Sequence, residues 1–217
     1  MKHLVRDLEN LKKEILTVGS LVEEATNKAI TSLVDRRPEL AEEVLAGDDE
    51  IDKLEVTIEE ECLKVLALHQ PVASDLRFVV TILKVNNDLE RMGDHAANIA
   101  ERAAFLCSQP PIEFPGDLRR MALKVRDMVR GSLDALVNVD MNIARKVMGA
   151  DATIDVLHRD MFQGLQDLMR RQPDSIERAV NTLSASRHLE RIADLCTNIA
   201  EDVVFLVEGE VVRHRSP

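Results

Sequence analysis

Thirteen residues from the middle of this 217-residue chain return one hundred positions later. Leu89-Glu90-Arg91-Met92-Gly93-Asp94-His95-Ala96-Ala97-Asn98-Ile99-Ala100-Glu101 aligns without a gap to Leu189-Glu190-Arg191-Ile192-Ala193-Asp194-Leu195-Cys196-Thr197-Asn198-Ile199-Ala200-Glu201, with eight of the thirteen positions identical. Upstream, Asp48 and Asp52 correspond to Asp151 and Asp155. Repetition on this scale means one folding unit used twice, each copy expected to have its own core.

The unit reads as helical. Leu4, Leu8, Leu11, Ile15, Val18, Ala25, Ala29 and Leu33 recur at three- and four-residue steps up to the break at Arg36-Arg37-Pro38. A second helix starts near Pro38, a residue suited to a first turn, and carries Leu45, Ile51, Leu54, Ile58, Cys62 and Val65 as far as Gln70-Pro71. Gly47 weakens its continuity. A third spans roughly 72–106. The stretch from Ser108 to Gly116 holds three prolines and a glycine, through which no helix continues. Beyond it, helices are predicted at about 117–137, 141–170 and, after Gln172-Pro173, up to about 208. The tail from Arg213 to Pro217 reads as frayed. The expectation is an all-α fold of two tandem three-helix bundles, residues 1–109 and 110–217.

Composition supports this and excludes several functions. Tyr and Trp are absent and aromatics total 2%, so the core must come from aliphatic residues and Met, which favours helix packing over sheets. Met92, Met121, Met128, Met148, Met161 and Met169 read as core filler. A net charge of −11 with no Lys/Arg run argues against direct binding to nucleic acid, which demands a basic surface. Cys62, Cys107 and Cys196 are far apart and sit in apolar helical patterns, as small core residues of a reducing compartment. The opening MKHLVRDLEN is too charged for a signal peptide, and no run approaches a membrane span. A cytoplasmic protein is expected.

The repeated segment also carries a chemical pattern. On a helical wheel with Glu90 at zero, Asp94, Asn98 and Glu101 fall at about 40°, 80° and 20°, opposite the apolar cluster of Leu89, Met92, Ala96 and Ile99. Glu190, Asp194, Asn198 and Glu201 repeat the stripe. On the second helix, Asp48, Asp52, Glu55 and Glu59 share an arc of about 60°; their counterparts are Asp151, Asp155, His158 and Phe162. Stripes on neighbouring helices would face each other across a surface groove. Like charges four residues apart repel, so the stacking needs a compensating charge. Arg91, Arg102 and Arg191 are one source; a bound iron, manganese, zinc or magnesium ion is the other. A charged helix face is ordinarily just solvated, and it is the duplication that raises the metal reading. The paired Glu-x-x-His pattern of di-iron bundles is absent, with only Asp155-Val-Leu-His158 near it. His95 reads as a surface residue, since its repeat counterpart Leu195 cannot ligate. No nucleophile constellation or phosphate loop is present.

The segment Gln70-Pro71-Val72-Ala73-Ser74-Asp75-Leu76-Arg77, the run from Asn87 to Ala100, its second copy from His188 to Glu201 and the ending Gly209-Glu210-Val211-Val212-Arg213-His214 closely resemble the PhoU family of phosphate-signalling regulators. That resemblance implies two three-helix bundles with multinuclear metal sites at Glu/Asp-x-x-x-Asp motifs: Asp48 with Asp52, Glu90 with Asp94, Asp151 with Asp155, and Glu190 with Asp194. Asn98, Glu101, Asn198 and Glu201 are further ligands on this reading, with iron or zinc the first metals to test. It also implies restraint of the phosphate-starvation response through contacts with a phosphate ABC transporter's ATPase and a membrane sensor histidine kinase, at the cytoplasmic face and commonly as a homodimer. The departure from the family pattern is Asp194-Leu195-Cys196, where the first copy has Asp94-His95-Ala96. Two other readings compete: a metallohydrolase using metal-bound water, and a metal-free helical scaffold.

Overall fold

A computed structural model describes residues 2–113 and 116–209. Six long helices account for nearly all of it: α1 (Lys2–Asp35), α2 (Pro38–His69), α3 (Ala73–Ser108), α4 (Leu118–Asn138), α5 (Met141–Arg171) and α6 (Ile176–Glu208). Among the described residues there is no strand. Part of the ending motif, and the tail from Arg213, lie outside them.

The breaks fall where local chemistry demands. Arg36 turns through a left-handed backbone (φ 55°) ahead of Pro38 at the head of α2. Its guanidinium then donates to the carbonyls of Leu106 (2.8 Å) and Cys107 (3.2 Å), occupying orphan acceptors at the end of α3. Asp117 caps α4 by accepting from the Arg120 amide, and Asp140 caps α5 by accepting from the amides of Asn142 and Ile143. Gly47 weakens α2 without interrupting it, because the flanking apolar periodicity outweighs one glycine.

Each repeat packs its three helices together, but the cores are not separate. Buried residues from all six helices form one apolar cluster, including Leu11, Ile58, Leu89 and Met92 from the first repeat and Met121, Ile154, Met161 and Leu189 from the second. The cause is the central position of α3 and α6, each packed against the other as well as against its own repeat. They run antiparallel, as three pairs show: Lys84 Nζ with Asp202 Oδ1 at 2.9 Å, His95 with His188, and Arg102 Nε with Ser184 Oγ at 3.4 Å. A second contact joins α1 to α4, where a Cβ added at Gly19 would lie 2.9 Å from Leu133 Cδ2. A repeat in sequence need not be an independent body in space. No helix among the described residues is long and apolar enough to cross a membrane.

Candidate metal centre

The close approach of α2 to α3 starts from a glycine. At Gly93 an added Cβ would sit 3.2 Å from Ile51 Cδ1 and 3.8 Å from Asp48 Oδ1, so the missing side chain lets the acidic face of α2 come in against α3. Around that contact, Asp52 on α2 and Glu90 and Asp94 on α3 each offer a carboxylate oxygen within 4.8 Å of the others. Glu90 and Asp48 are half-buried and Asp52 and Asp94 exposed, so the cluster lines a groove open to ions from solvent.

The electrostatics identify the members. Burial raises the Asp48 carboxyl, and Asp52 and Asp94 raise it further. Glu90 is raised by burial, then by Asp94, Asp52 and Glu55. Asp94 is raised by burial and by Asp52. Among the described residues no Lys, Arg or His nitrogen lies within ion-pair distance of Asp48, Asp52, Glu90 or Asp94; Arg91 acts on Glu90 and Asp94 only at longer range. Repulsion between such groups runs at about 1–4 kcal/mol per pair, from fully wet to half-buried surroundings. A di- or trivalent cation at the centre reverses its sign, and an all-oxygen donor set fits the harder metals.

The second repeat holds the same four acids between α5 and α6 with a different balance. Burial, helped by Asp155, Asp194 and Glu190, pushes the Asp151 carboxyl up to about 6. Burial also raises Glu190 and Asp194. Here, however, Arg191 lies 3.3 Å from Asp194 and 3.7 Å from Glu190. Asp151 and Asp194 face a cleft of about 270 Å³ whose walls include Arg91 and His95 of the first repeat. His158, one turn beyond Asp155, is engaged with Ser186 through Nδ1 at 3.1 Å.

The remaining sequence candidates take varied places in space. The stripe on α3 borders a seam, with Gly93 and Ala97 buried beside it because α2 and α6 both pack against α3. His95 is half-buried against His188, with ring centroids 5.3 Å apart, rather than on the free surface. Burial lowers the affinity of both imidazoles for a proton, to about 4 for His188. Asn98 donates its side-chain amide to the Asp94 carbonyl at 2.7 Å, which leaves Oδ1 for a ligand, and Glu101 is paired with Arg102 at 3.0 Å. Asn198 does line the cleft with Asp151 and Asp194, while Glu201 is partly buried one turn farther along α6. Glu55, which the wheel set on the acidic arc but no four-residue motif singled out, acts directly on Glu90. Burial takes the Cys62 thiol up to about 12, and Cys196 is fully enclosed, so both are core residues without nucleophilic character.

Comparison with known proteins agrees with this architecture. The PhoU domain family matches twice, over residues 15–103 and 118–203. A phosphate-specific transport system accessory protein PhoU homolog of Aquifex aeolicus (strain VF5) is 42% identical, over 98% of this chain and 96% of that protein. The accessory protein PhoU of Escherichia coli (strain K12) is 32% identical, over 96% of this chain and 86% of its own length. The crystal structure of PhoU from Pseudomonas aeruginosa superposes with a TM-score of 0.90 at 39% identity, covering 94% of this chain and 99% of that one. These relatives are named as accessory proteins rather than enzymes. With two matched domains, all-helical architecture and near full-length likeness to several relatives, this chain belongs to the PhoU family.

Proposed function

We propose that this protein is a cytoplasmic regulator of phosphate homeostasis that restrains phosphate uptake and the starvation response, and that its two acidic centres bind metal. The metal part is carried by the convergence of Asp52, Glu90 and Asp94 without a cation partner, an arrangement that costs stability unless an ion is bound. Asp48 completes that centre; Asp151, Asp155, Glu190 and Asp194 form the second, with Asn98, Glu101, Asn198 and Glu201 as outer candidates. Iron and zinc are the first metals to test, manganese and magnesium the next. The regulatory part is supported by relatives named as accessory proteins of a phosphate-specific transport system. On this reading the protein acts as a homodimer at the membrane's inner face, through a phosphate ABC transporter's ATPase and a sensor histidine kinase, rather than by turnover.

Titrating iron(II) or zinc into chelator-treated protein tests the first part: binding in the wild type and loss in a Glu90→Ala, Glu190→Ala variant is expected. Co-purification with the ATPase and the kinase tests the second, and failure to associate with either removes the adaptor role.

A further inference from the structure

The seam between the repeats contains a feature that the acidic centres do not use. In a chain of net charge −11, four arginines gather where α3 passes α6: Arg91 and Arg191 act on His95, while Arg102 and Arg187, opposed by Glu101, act on His188. Arg91 and Arg191 are repeat equivalents, brought from opposite halves of the sequence to the rim of one cleft. Thr197, Asn198 and His95 line the same space of about 270 Å³, the Thr197 hydroxyl donating to the Ala193 carbonyl at 3.3 Å. Guanidinium forks match the oxygens of a tetrahedral oxyanion. Arg91 has no ion-pair partner among the described residues, which leaves its fork available.

Two carboxylates, Asp151 and Asp194, line the same cleft. For a fully deprotonated oxyanion they are a liability. For one that keeps a proton at neutral pH they are acceptors, since a P–OH group can donate to a carboxylate. Asp194 is already engaged by Arg191, which makes Asp151 the acceptor. We propose that this cleft is a binding site for hydrogenphosphate, with Arg91 and Arg191 holding its oxygens, Asn198 completing the donors, and Asp151 accepting a hydrogen bond from its P–OH group. The mixed lining selects phosphate over sulfate, which has no proton to give. The proposal deepens the regulatory reading above, because it gives the protein its own contact with the anion whose supply is regulated, and Asp151 and Asp194 serve both sites.

Calorimetric titration of the full chain with inorganic phosphate, sulfate and ATP, with and without prior chelator treatment, tests it. Phosphate is expected to bind in both states, with sulfate at least about tenfold weaker in the chelator-treated protein. Arg91→Gln and Arg191→Gln should each weaken phosphate at least about tenfold, the loss of one charge-assisted contact. Arg126→Gln on α4 should leave it unchanged; melting curves establish that each variant is folded. Equal binding of phosphate and sulfate overturns the proposal, as does phosphate binding that requires metal and ignores both arginine changes. Tighter binding of ATP than of phosphate overturns the assignment to the free anion. Metal binding without any phosphate binding overturns this inference alone, whereas failure to bind metal counts against the metal reading and leaves the chelator-treated arm to decide this one.

Discussion

The two acidic centres are the same stripe folded twice, yet they balance their charge in opposite ways. Asp52, Glu90 and Asp94 come together with no guanidinium in contact. Their counterparts Glu190 and Asp194 both lie against Arg191, although Arg91 holds the equivalent position in the first repeat. The backbone frames differ by one residue at the point of closest approach: Gly93 against Ile51 in one repeat, Ala193 in the other. Duplication thus preserved the oxygen donors while letting the counter-charge drift. The first centre has no counter-charge in contact among the described residues; the second is partly neutralised from within.

The largest expected effect tests that contrast directly. Replacing Glu90 and Asp94 by Ala should weaken metal binding at the first centre by about 100-fold or more, beyond what loss of a supporting group alone costs. The matching Glu190→Ala, Asp194→Ala variant should lose less, because Arg191 already competes for those carboxylates. Competition against a chromophoric chelator measures both, and equal losses would erase the distinction between the centres.

A smaller effect sharpens it. Arg191→Gln frees Asp194 and Glu190, so metal affinity at the second centre should rise about two- to fivefold, the scale of a half-exposed ion pair. Arg91→Gln should change the first centre less, since Arg91 makes no direct pair there. The same titration compares the two, and a fall in affinity after Arg191→Gln would show that the guanidinium orients the carboxylates instead of opposing the ion.

The smallest effect is in pH dependence without metal. Asp48, Glu55, Glu90, Asp94, Asp151, Glu190 and Asp194 are all raised, chiefly by burial. A raised carboxyl means the folded chain holds protons that the unfolded chain has already released. Stability therefore increases as pH falls from neutrality through the raised range and is lost as pH climbs back through it. Asp151, at about 6, sets the upper edge. Asp7, held low by its hydrogen bond from His69, works in the opposite direction at more acid pH. Chelator-treated protein should melt roughly 2–4 °C higher at mildly acid than at neutral pH. Asp151→Asn should flatten that rise more than Asp48→Asn does, and equal flattening would contradict the stronger perturbation of the second centre.

Much of this was legible in the sequence. The periodicity of Leu, Ile, Val and Ala located all six helices, because each buries a continuous apolar stripe, and the prolines at 38, 71, 110, 111 and 173 marked the turns. The meeting of Asp52 with Glu90 and Asp94 was legible as two facing stripes. What escaped was everything fixed by α3 and α6 packing on each other. A wheel assigns one buried face per helix, and α3 has more than one, so His95 was read as a surface residue. His95 meets His188, and Arg91 meets the cleft of the second repeat, across about a hundred residues of sequence that no local pattern connects. The pairing of Arg191 with Asp194 was legible as proximity, but the first copy offers Arg91 at the same spacing without that pair.

The Lys84–Asp202 pair and the shared apolar cluster carry a practical consequence for anyone who would divide this protein at its linker. Asp202 is enclosed, with its side chain 2% exposed, and its ammonium partner belongs to the other repeat. Severing the chain between Ser108 and Leu118 should therefore leave the halves docked as a nicked heterodimer, because parting them would break the Lys84–Asp202 pair and bare the faces that α3 and α6 bury against each other.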